Sequence, residues 1–424
     1  MSLKSEVEKM PGYNSLVKPW HYLQAVRAGM KNGWPAKKIK VIAVTGTNGK
    51  TSTCFFIWKM LNEAGHRTGV MTTIGWGVEE IEPQIEHMTT ESVGILNERM
   101  RKIQETGAEY LVLETTSHAL SQSRILGVPI EIAVFTNLTP EHLDYHKTFE
   151  KYRAAKLKLF KKARFGVINA DDPSADWFSD AVRKYAHGDI KTYGIERGDL
   201  RATEVELLST GVKYSCGDIN IETQVPGRFN VYNSLAAVAV GQRVGLTDEE
   251  IERGVHALDN VEGRMTDVKC GQDFTVIVDY AHQPDALEKV FESLGTVEGK
   301  VISVHGGAGR RDHGTREPRG EILGRYSDMV IITEDDSRDE DPAEIAEMFA
   351  KGAEKVGKVR GENLMIELDR EKAIRKALMM ARRGDLVLIL GKGHEKTILR
   401  GDGPHEFEDI KVAEKILGEM RGGA

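Results

Sequence analysis

The chain has 424 residues and a net charge of −7, with 40% hydrophobic and 29% charged residues, the balance of a soluble globular protein of two or three domains. An acidic chain argues against a nucleic-acid footprint, which would be basic. No apolar run approaches the roughly 20 residues of a membrane span, and the opening residues have no signal-peptide core.

Residues 1–38 read as a short lead-in, mixed polar and aromatic (Trp20, Tyr22, Trp34), with a helix expected from about His21 to Lys31. From Lys40 the run KVIAV reads as a buried strand. A Gly-rich turn follows, then a helical pattern that stops at Gly65. Apolar runs at 109–114, 130–136 and 165–169 alternate with amphipathic stretches at 91–105 and 148–163. That alternation implies parallel strands with helices on both faces. The stretch 195–225 has period-2 character and reads as antiparallel strands, with helices expected at 230–244 and 247–257.

After Val261-Glu262-Gly263-Arg264 a second α/β series begins, with strands FTVIVDY, VISVHG, DMVIIT and DLVLILG. Helices near 284–293, 316–325, 342–356, 369–383 and 408–419 accompany them. The expectation is an α/β chain of three parts: the lead-in 1–38, a central domain 39–263 with a mainly parallel sheet, and a Rossmann-like doubly wound domain 264–424. Cys54, Cys216 and Cys270 form no CxxC pair. They predict no zinc or disulfide framework, and a reducing, cytoplasmic setting fits.

The most specific local signal is Gly46-Thr47-Asn48-Gly49-Lys50-Thr51-Ser52 between the first strand and its helix. Glycines let backbone N–H groups converge on phosphate oxygens, and the helix N-terminus adds partial positive charge. A lysine at position 50 reaches the β/γ phosphates, and the Thr51 hydroxyl suits Mg²⁺. Val44 stands where a full GxxxxGK[ST] would have its first glycine, so this is the shorter GxxGKT form.

GTNGKTST, ETTSHAL, FTNLTPEHLDYHKTFEKYRAAKLKLF, PGRFNVYNSLAA, VEGRM, DYAH, DDSRDEDP and GKGHE occur in that order. Together they resemble the Mur ligase family, most closely its MurE type, the UDP-N-acetylmuramoyl-dipeptide:amino acid ligases. The resemblance covers about residues 40–420. It implies that ATP phosphorylates a substrate carboxylate to an acyl phosphate. An amine then attacks, giving an amide, ADP and phosphate. Such chemistry demands mainly positioning and charge neutralisation.

The resemblance also implies roles, residue by residue. Lys50, Glu114, His142 and Lys156 are the expected catalytic group. Thr51, Glu114, His142 and a Lys156 carbamylated by CO2 are the expected holders of Mg²⁺. His142 is expected on the resemblance rather than on its chemistry, since Mg²⁺ favours oxygen. Asn233 is expected near adenine, while Asn230 reads equally well as a helix cap. Arg264, Asp279 and His282 match nucleotide contacts of the C-terminal domain, which implies closure of that domain over ATP. Thr89, Thr90, Thr116, Gln122 and Arg124 match positions that hold the muramoyl-peptide acceptor.

The incoming amino acid is expected at Arg311, Asp335, Asp336, Ser337, Arg338, Gly391 and Glu395. Diaminopimelate-type relatives carry Asp-Asn-Pro-Arg where this chain has Asp335-Asp336-Ser337-Arg338. A guanidinium at position 338 can grip a second carboxylate in bidentate fashion, which favours a meso-diaminopimelate-like substrate over lysine.

MurE-type enzymes carry an N-terminal UDP-holding domain of about 80–100 residues, whereas the phosphate loop here begins at residue 46. A naturally short form, a shortened chain and an acceptor without UDP all fit that position. Folylpolyglutamate synthetases share the two-domain core and form the alternative ligase reading. A non-catalytic nucleotide-binding subunit is the alternative outside enzymes. The expected partners are small molecules only, met by a monomer: ATP, a muramoyl-peptide-like acceptor and an amino acid.

Overall fold

A computed structural model describes residues 13–84, 88–208, 211–294, 297–311 and 313–422. The first twelve residues of the expected lead-in lie outside the described residues. The lead-in helix runs over Tyr13–Lys31, longer than the sequence suggests. Trp34 follows it with left-handed backbone, and a Cβ on Gly29 or Gly127 would strike its ring.

The chain divides into two compact units. One holds Met1–Glu206, Val212–Gln224 and Asn230–Asp259, and the other holds Leu207–Gly211, Val225–Phe229 and Asn260–Ala424.

The first unit is built on a nine-stranded sheet. Its strands are β1 (Lys40–Thr45), β2 (Thr68–Met71), β3 (Gly75–Gly77), β4 (Ile81–Pro83), β5 (Tyr110–Glu114), β6 (Ile130–Phe135), β7 (Ala163–Asn169), β8 (Asp189–Gly194) and β9 (Leu200–Arg201). Their spatial order is β4-β3-β2-β5-β1-β6-β7-β8-β9. β1 lies between β5 and β6, parallel to both. Its residues Val41–Val44 are fully buried, the pattern of a strand covered on both faces. β2, β3 and β4 pair antiparallel at one edge. They are three or four residues long, too short to register as strands in an apolar-run reading. β8, with the polar sequence DIKTYG, escapes it for lack of apolar residues.

The expected antiparallel stretch forms the separate sheet β10 (Thr203–Leu208), β11 (Gly211–Cys216) and β12 (Ile219–Thr223). β11 and β12 pair with Val212 opposite Thr223. The helices Arg228–Val244 and Asp248–His256 follow. Thr247 and Glu250 close a capping box at the second, fixing its start.

The second unit carries β13 (Thr266–Asp267), β14 (Thr275–Asp279), β15 (Val301–Gly307), β16 (Met329–Glu334), β17 (Leu364–Ile366) and β18 (Leu386–Leu390). Their order is β13-β14-β18-β15-β16-β17, parallel except for β13. Apolar clusters lie on both faces of this sheet. A hairpin, β19 (Thr397–Arg400) with β20 (Gly403–Glu406), precedes the last helix, Asp409–Gly422. That helix is tied in by Arg370, whose Nε and Nη2 donate to the two carboxylate oxygens of Asp409, each at 2.7 Å. Both side chains are completely buried. Arg370 Nη2 also donates to the carbonyl of Leu390.

Candidate active site

β1 ends at Thr45, and the helix Lys50–Glu63 begins five residues later, after a left-handed Gly49. The loop between them is held from several sides. The Thr45 hydroxyl donates to the carbonyl of Thr115 at 2.7 Å, joining the ends of β1 and β5. The Thr136 hydroxyl and the Asn137 amide both donate to the carbonyl of Asn48. The Asn48 N–H in turn donates to the Asn137 side-chain oxygen at 2.9 Å. A Cβ on Gly46 would sit 1.8 Å from the Thr136 hydroxyl oxygen, and one on Gly49 2.4 Å from the Asn233 side-chain oxygen. Only glycine fits either position at this backbone geometry.

Lys50 bends back and donates to the carbonyl of Thr47 at 2.7 Å. The Thr51 hydroxyl donates to Glu114 Oε2 at 3.0 Å. That same oxygen accepts from the Thr73 backbone N–H and hydroxyl. Glu114 ends β5 and is 1% exposed. The Thr51 hydroxyl and the Glu114 carboxylate thus put two hard oxygen donors side by side next to a phosphate loop, and this donor set fits Mg²⁺.

Lys156, on the helix Phe149–Phe160, donates to the carbonyl of Gly46 at 2.6 Å and is buried. Burial, reinforced by the nearby Lys50 charge, holds its ammonium well below the usual lysine range. One turn earlier, the Tyr152 hydroxyl lies 3.1 Å from that of Thr47 and donates to Glu141 Oε2 at 3.5 Å. His142, with left-handed backbone, sets Nε2 3.5 Å from Glu141 Oε2. The His142 ring meets that of His118 edge-on at 4.7 Å between centroids. The structure therefore gathers Gly46–Ser52, Glu114, His142 and Lys156 around one loop.

Asn233 is a further member of this group. Its side-chain oxygen accepts from the Thr53 hydroxyl, and its amide donates to the Asn230 oxygen at 2.8 Å. Asn230 lies inside the helix that starts at Arg228, so it is not the cap that its sequence position suggested.

The residues matched to the acceptor form a neighbouring cluster. The Thr90 hydroxyl donates to the carbonyl of Glu114 at 3.0 Å and accepts from the Thr116 N–H. Thr116 caps the short helix Ser117–Ser121. Arg124 donates to the Thr90 carbonyl and to the Gln122 side-chain oxygen. Thr89 is half-buried beside Thr90.

In the second unit, Asp279 ends β14 and accepts from the N–H groups of Met265 and Ala281, both at 2.7 Å. Burial raises its carboxyl above the ordinary range despite Arg264 and these donors. The Arg264 guanidinium lies over the Tyr280 ring at 4.6 Å. His282 sets Nδ1 2.9 Å from the Tyr280 carbonyl.

Of the residues expected to read the amino acid, Asp335, Asp336 and Glu395 converge on the lysine of GKGHE, to which the motif alone assigns no role. Lys392 is completely buried and donates to Asp335 at 3.2 Å, Asp336 at 2.9 Å and Glu395 at 2.8 Å. Three carboxylates match the three donors of an ammonium. Burial pushes the Glu395 carboxyl up to about 7 although Lys392 opposes it. A lysine flanked by glycines at the end of the apolar strand LVLIL was the available signal. Arg338, also left-handed, donates to the Gly309 carbonyl at 2.5 Å and lies 3.7 Å from Asp336. Ser337 donates to Glu334. Gly391 has φ +107°, and a Cβ there would approach His305 Nδ1 and Asp335. Arg311 is exposed.

A parallel sheet with this loop and this strand-end carboxylate is the framework of an ATP-dependent ligase. A family model described as Mur ligase middle domain matches residues 44–241, and one described as Mur ligase, glutamate ligase domain matches 263–393. The chain is 41% identical to the UDP-N-acetylmuramoyl-L-alanyl-D-glutamate–2,6-diaminopimelate ligase of Syntrophomonas wolfei subsp. wolfei, over 93% of this chain and 81% of that protein. It belongs to the Mur ligase family.

A solved structure of a UDP-N-acetylmuramoyl-L-alanyl-D-glutamate–2,6-diaminopimelate ligase superposes with a TM-score of 0.65 at 30% identity, covering 94% of this chain and 83% of that one. Mycobacterium tuberculosis folylpolyglutamate synthase superposes with a TM-score of 0.72 over 95% of both chains. At 16% identity that likeness is one of fold alone.

Proposed function

We propose that the chain joins the amino group of a diamino dicarboxylic acid, such as meso-diaminopimelate, to the carboxylate of a muramoyl-dipeptide acceptor. The observation that carries this reading is the Glu114–Thr51 pair beside the phosphate loop, in a chain 41% identical to a ligase named for that reaction. A carboxylate oxygen of the acceptor attacks the γ-phosphorus of ATP, giving an acyl phosphate and ADP. The amine, as its free base, then attacks the acyl carbon and phosphate leaves.

In this reading Gly46–Ser52 cradle the phosphates through backbone N–H groups, and Lys50 swings from Thr47 to neutralise charge on the transferred group. Mg²⁺ supplies further charge neutralisation when bound. Thr51, Glu114, His142 and a carbamylated Lys156 are proposed to hold it. The low basicity of buried Lys156 supports carbamylation, because only a neutral amine adds to CO2. Asn233, Arg264, Asp279 and His282 are proposed nucleotide contacts. Thr89, Thr90, Thr116, Gln122 and Arg124 are proposed to hold the acceptor.

Arg311, Asp335, Asp336, Ser337, Arg338, Gly391 and Glu395 are proposed to read the amino acid, with Lys392 fixing the three carboxylates. The corresponding domain reading is lead-in 1–38, ATP-binding domain 39–263 and amino-acid domain 264–424, in a cytoplasmic monomer. The test is ADP release with UDP-N-acetylmuramoyl-L-alanyl-D-glutamate and either meso-diaminopimelate or L-lysine, against a folate plus glutamate control. Turnover with the muramoyl acceptor and preference for meso-diaminopimelate is expected. Turnover only with folate and glutamate would overturn the reading.

A further inference from the structure

A cleft of about 270 Å³ opens on the first unit, away from the phosphate loop. Six aliphatic side chains line it, among them Leu120, Ile125 and Leu126, and Lys158, Lys161 and Lys162 complete its wall. None of the described lining residues is acidic or aromatic. All three lysines are exposed.

Lys161 also connects the cleft to an aromatic surface. Its ammonium lies 4.5 Å from the Tyr185 ring centroid, and that of Lys184 lies 5.6 Å from the same ring. Eight residues earlier on each segment, the Arg153 guanidinium lies 4.2 Å over Trp177. Trp177 is 55% exposed and Tyr185 54%. The segment with the two rings adds Arg183 and Lys184 against Asp176 and Asp180.

Clustered cations are not an average property of a chain with net charge −7. Exposed Trp and Tyr beside Lys and Arg are the side chains that settle at a lipid–water boundary. An aliphatic cleft next to them suits a hydrocarbon chain, while its lysines suit the anionic head that the chain carries. Nucleic acid fits less well. The cleft has no ring on which a base could stack, and cations already cover faces of Trp177 and Tyr185.

We propose that this face docks on an anionic lipid leaflet, with the cleft taking a lipid chain and Lys161, Lys162 and Lys184 meeting headgroup phosphates. Docking is peripheral, since no described helix is long and apolar enough to cross a membrane.

The test is flotation of the full chain with vesicles of phosphatidylcholine alone and of phosphatidylcholine with phosphatidylglycerol. Binding is expected only to the second, and it should weaken with salt. Combined Lys161→Gln, Lys162→Gln and Lys184→Gln should lower partitioning by about a hundredfold, at roughly fivefold per lysine. Ligase turnover on soluble substrates should persist in that variant. Trp177→Ala with Tyr185→Ala, which leaves the charges alone, should weaken binding independently. The proposal is overturned by equal binding to both vesicles, or by binding that both variants leave unchanged. Absence of binding, capture of monomeric dodecyl phosphate without vesicle binding, or displacement by polyuridylate also overturns it.

Discussion

Lys156 Nζ donates to the Gly46 carbonyl at 2.6 Å across 110 residues of sequence. The contact ties the helix Phe149–Phe160 to the first glycine of the phosphate loop, and burial holds the basicity of the amine that makes it well below the usual lysine range.

That lowered basicity, with the carbamylation proposed for Lys156, predicts a CO2 requirement. Wild-type enzyme in CO2-depleted buffer should lose most of its turnover and recover it on adding bicarbonate, with a carbamate signal in ¹³C NMR. Lys156→Ala should lower kcat by about a hundredfold or more and show no such signal. Activity indifferent to both CO2 and the substitution would remove Lys156 from the mechanism.

The loop glycines predict a split between stability and nucleotide binding. Gly46→Ala places a methyl 1.8 Å from the Thr136 hydroxyl oxygen, while Gly49→Ala adds a collision with Asn233 to a φ of +80°. Each should cost about 1–3 kcal/mol of stability and weaken ATP binding severely. Urea denaturation and nucleotide titration measure the two effects separately.

Arg338 predicts the amino-acid preference. With Asp336 already 3.7 Å from its guanidinium, the proposed reading leaves Arg338 part of its charge for a substrate carboxylate. Arg338→Ala should lower kcat/KM for meso-diaminopimelate by about tenfold to a hundredfold, the worth of a charged hydrogen bond. It should leave the value for L-lysine unchanged or raise it. Equal losses for both substrates would show that Arg338 serves the fold rather than the choice.

His305 predicts an acid limb of stability. Burial holds it down to about 3, with Arg319 and Arg370 adding to the shift and Asp335 and the Leu390 carbonyl opposing it. Between pH 6.5 and 3 the unfolded chain binds a proton that the folded chain refuses. This contribution is therefore complete above pH 6.5 and lost as pH falls. By pH 5 the loss is about 2 kcal/mol, at roughly 1.4 kcal/mol per pKa unit. His305→Gln should flatten the pH dependence of the urea midpoint by that amount, whatever its own effect at pH 7.5.

The motifs around the phosphate loop were legible because their chemistry is local. Glycine, lysine and threonine act in one turn, and an apolar run announces the strand on either side. Glu114 was legible as the polar end of a buried strand. What did not show was partnership across distance. Nothing in the sequence marks Thr73 as a donor to Glu114, or Asn137 as the residue that holds Asn48. Lys392 was visible as a letter in GKGHE, but its three carboxylates come together only when the Asp335–Asp336 turn and Glu395 fold against it. The short strands β3 and β4 and the polar β8 were missed because their pairing, not their composition, makes them strands.

The Arg370–Asp409 pair has a consequence for synthesis. The two residues are 39 apart. Until Asp409 has left the ribosome, Arg370 has no counter-charge from that helix, and burying it unpaired costs about 3–5 kcal/mol. A chain stalled before residue 409 therefore presents a second unit with an unfinished core to chaperones and proteases.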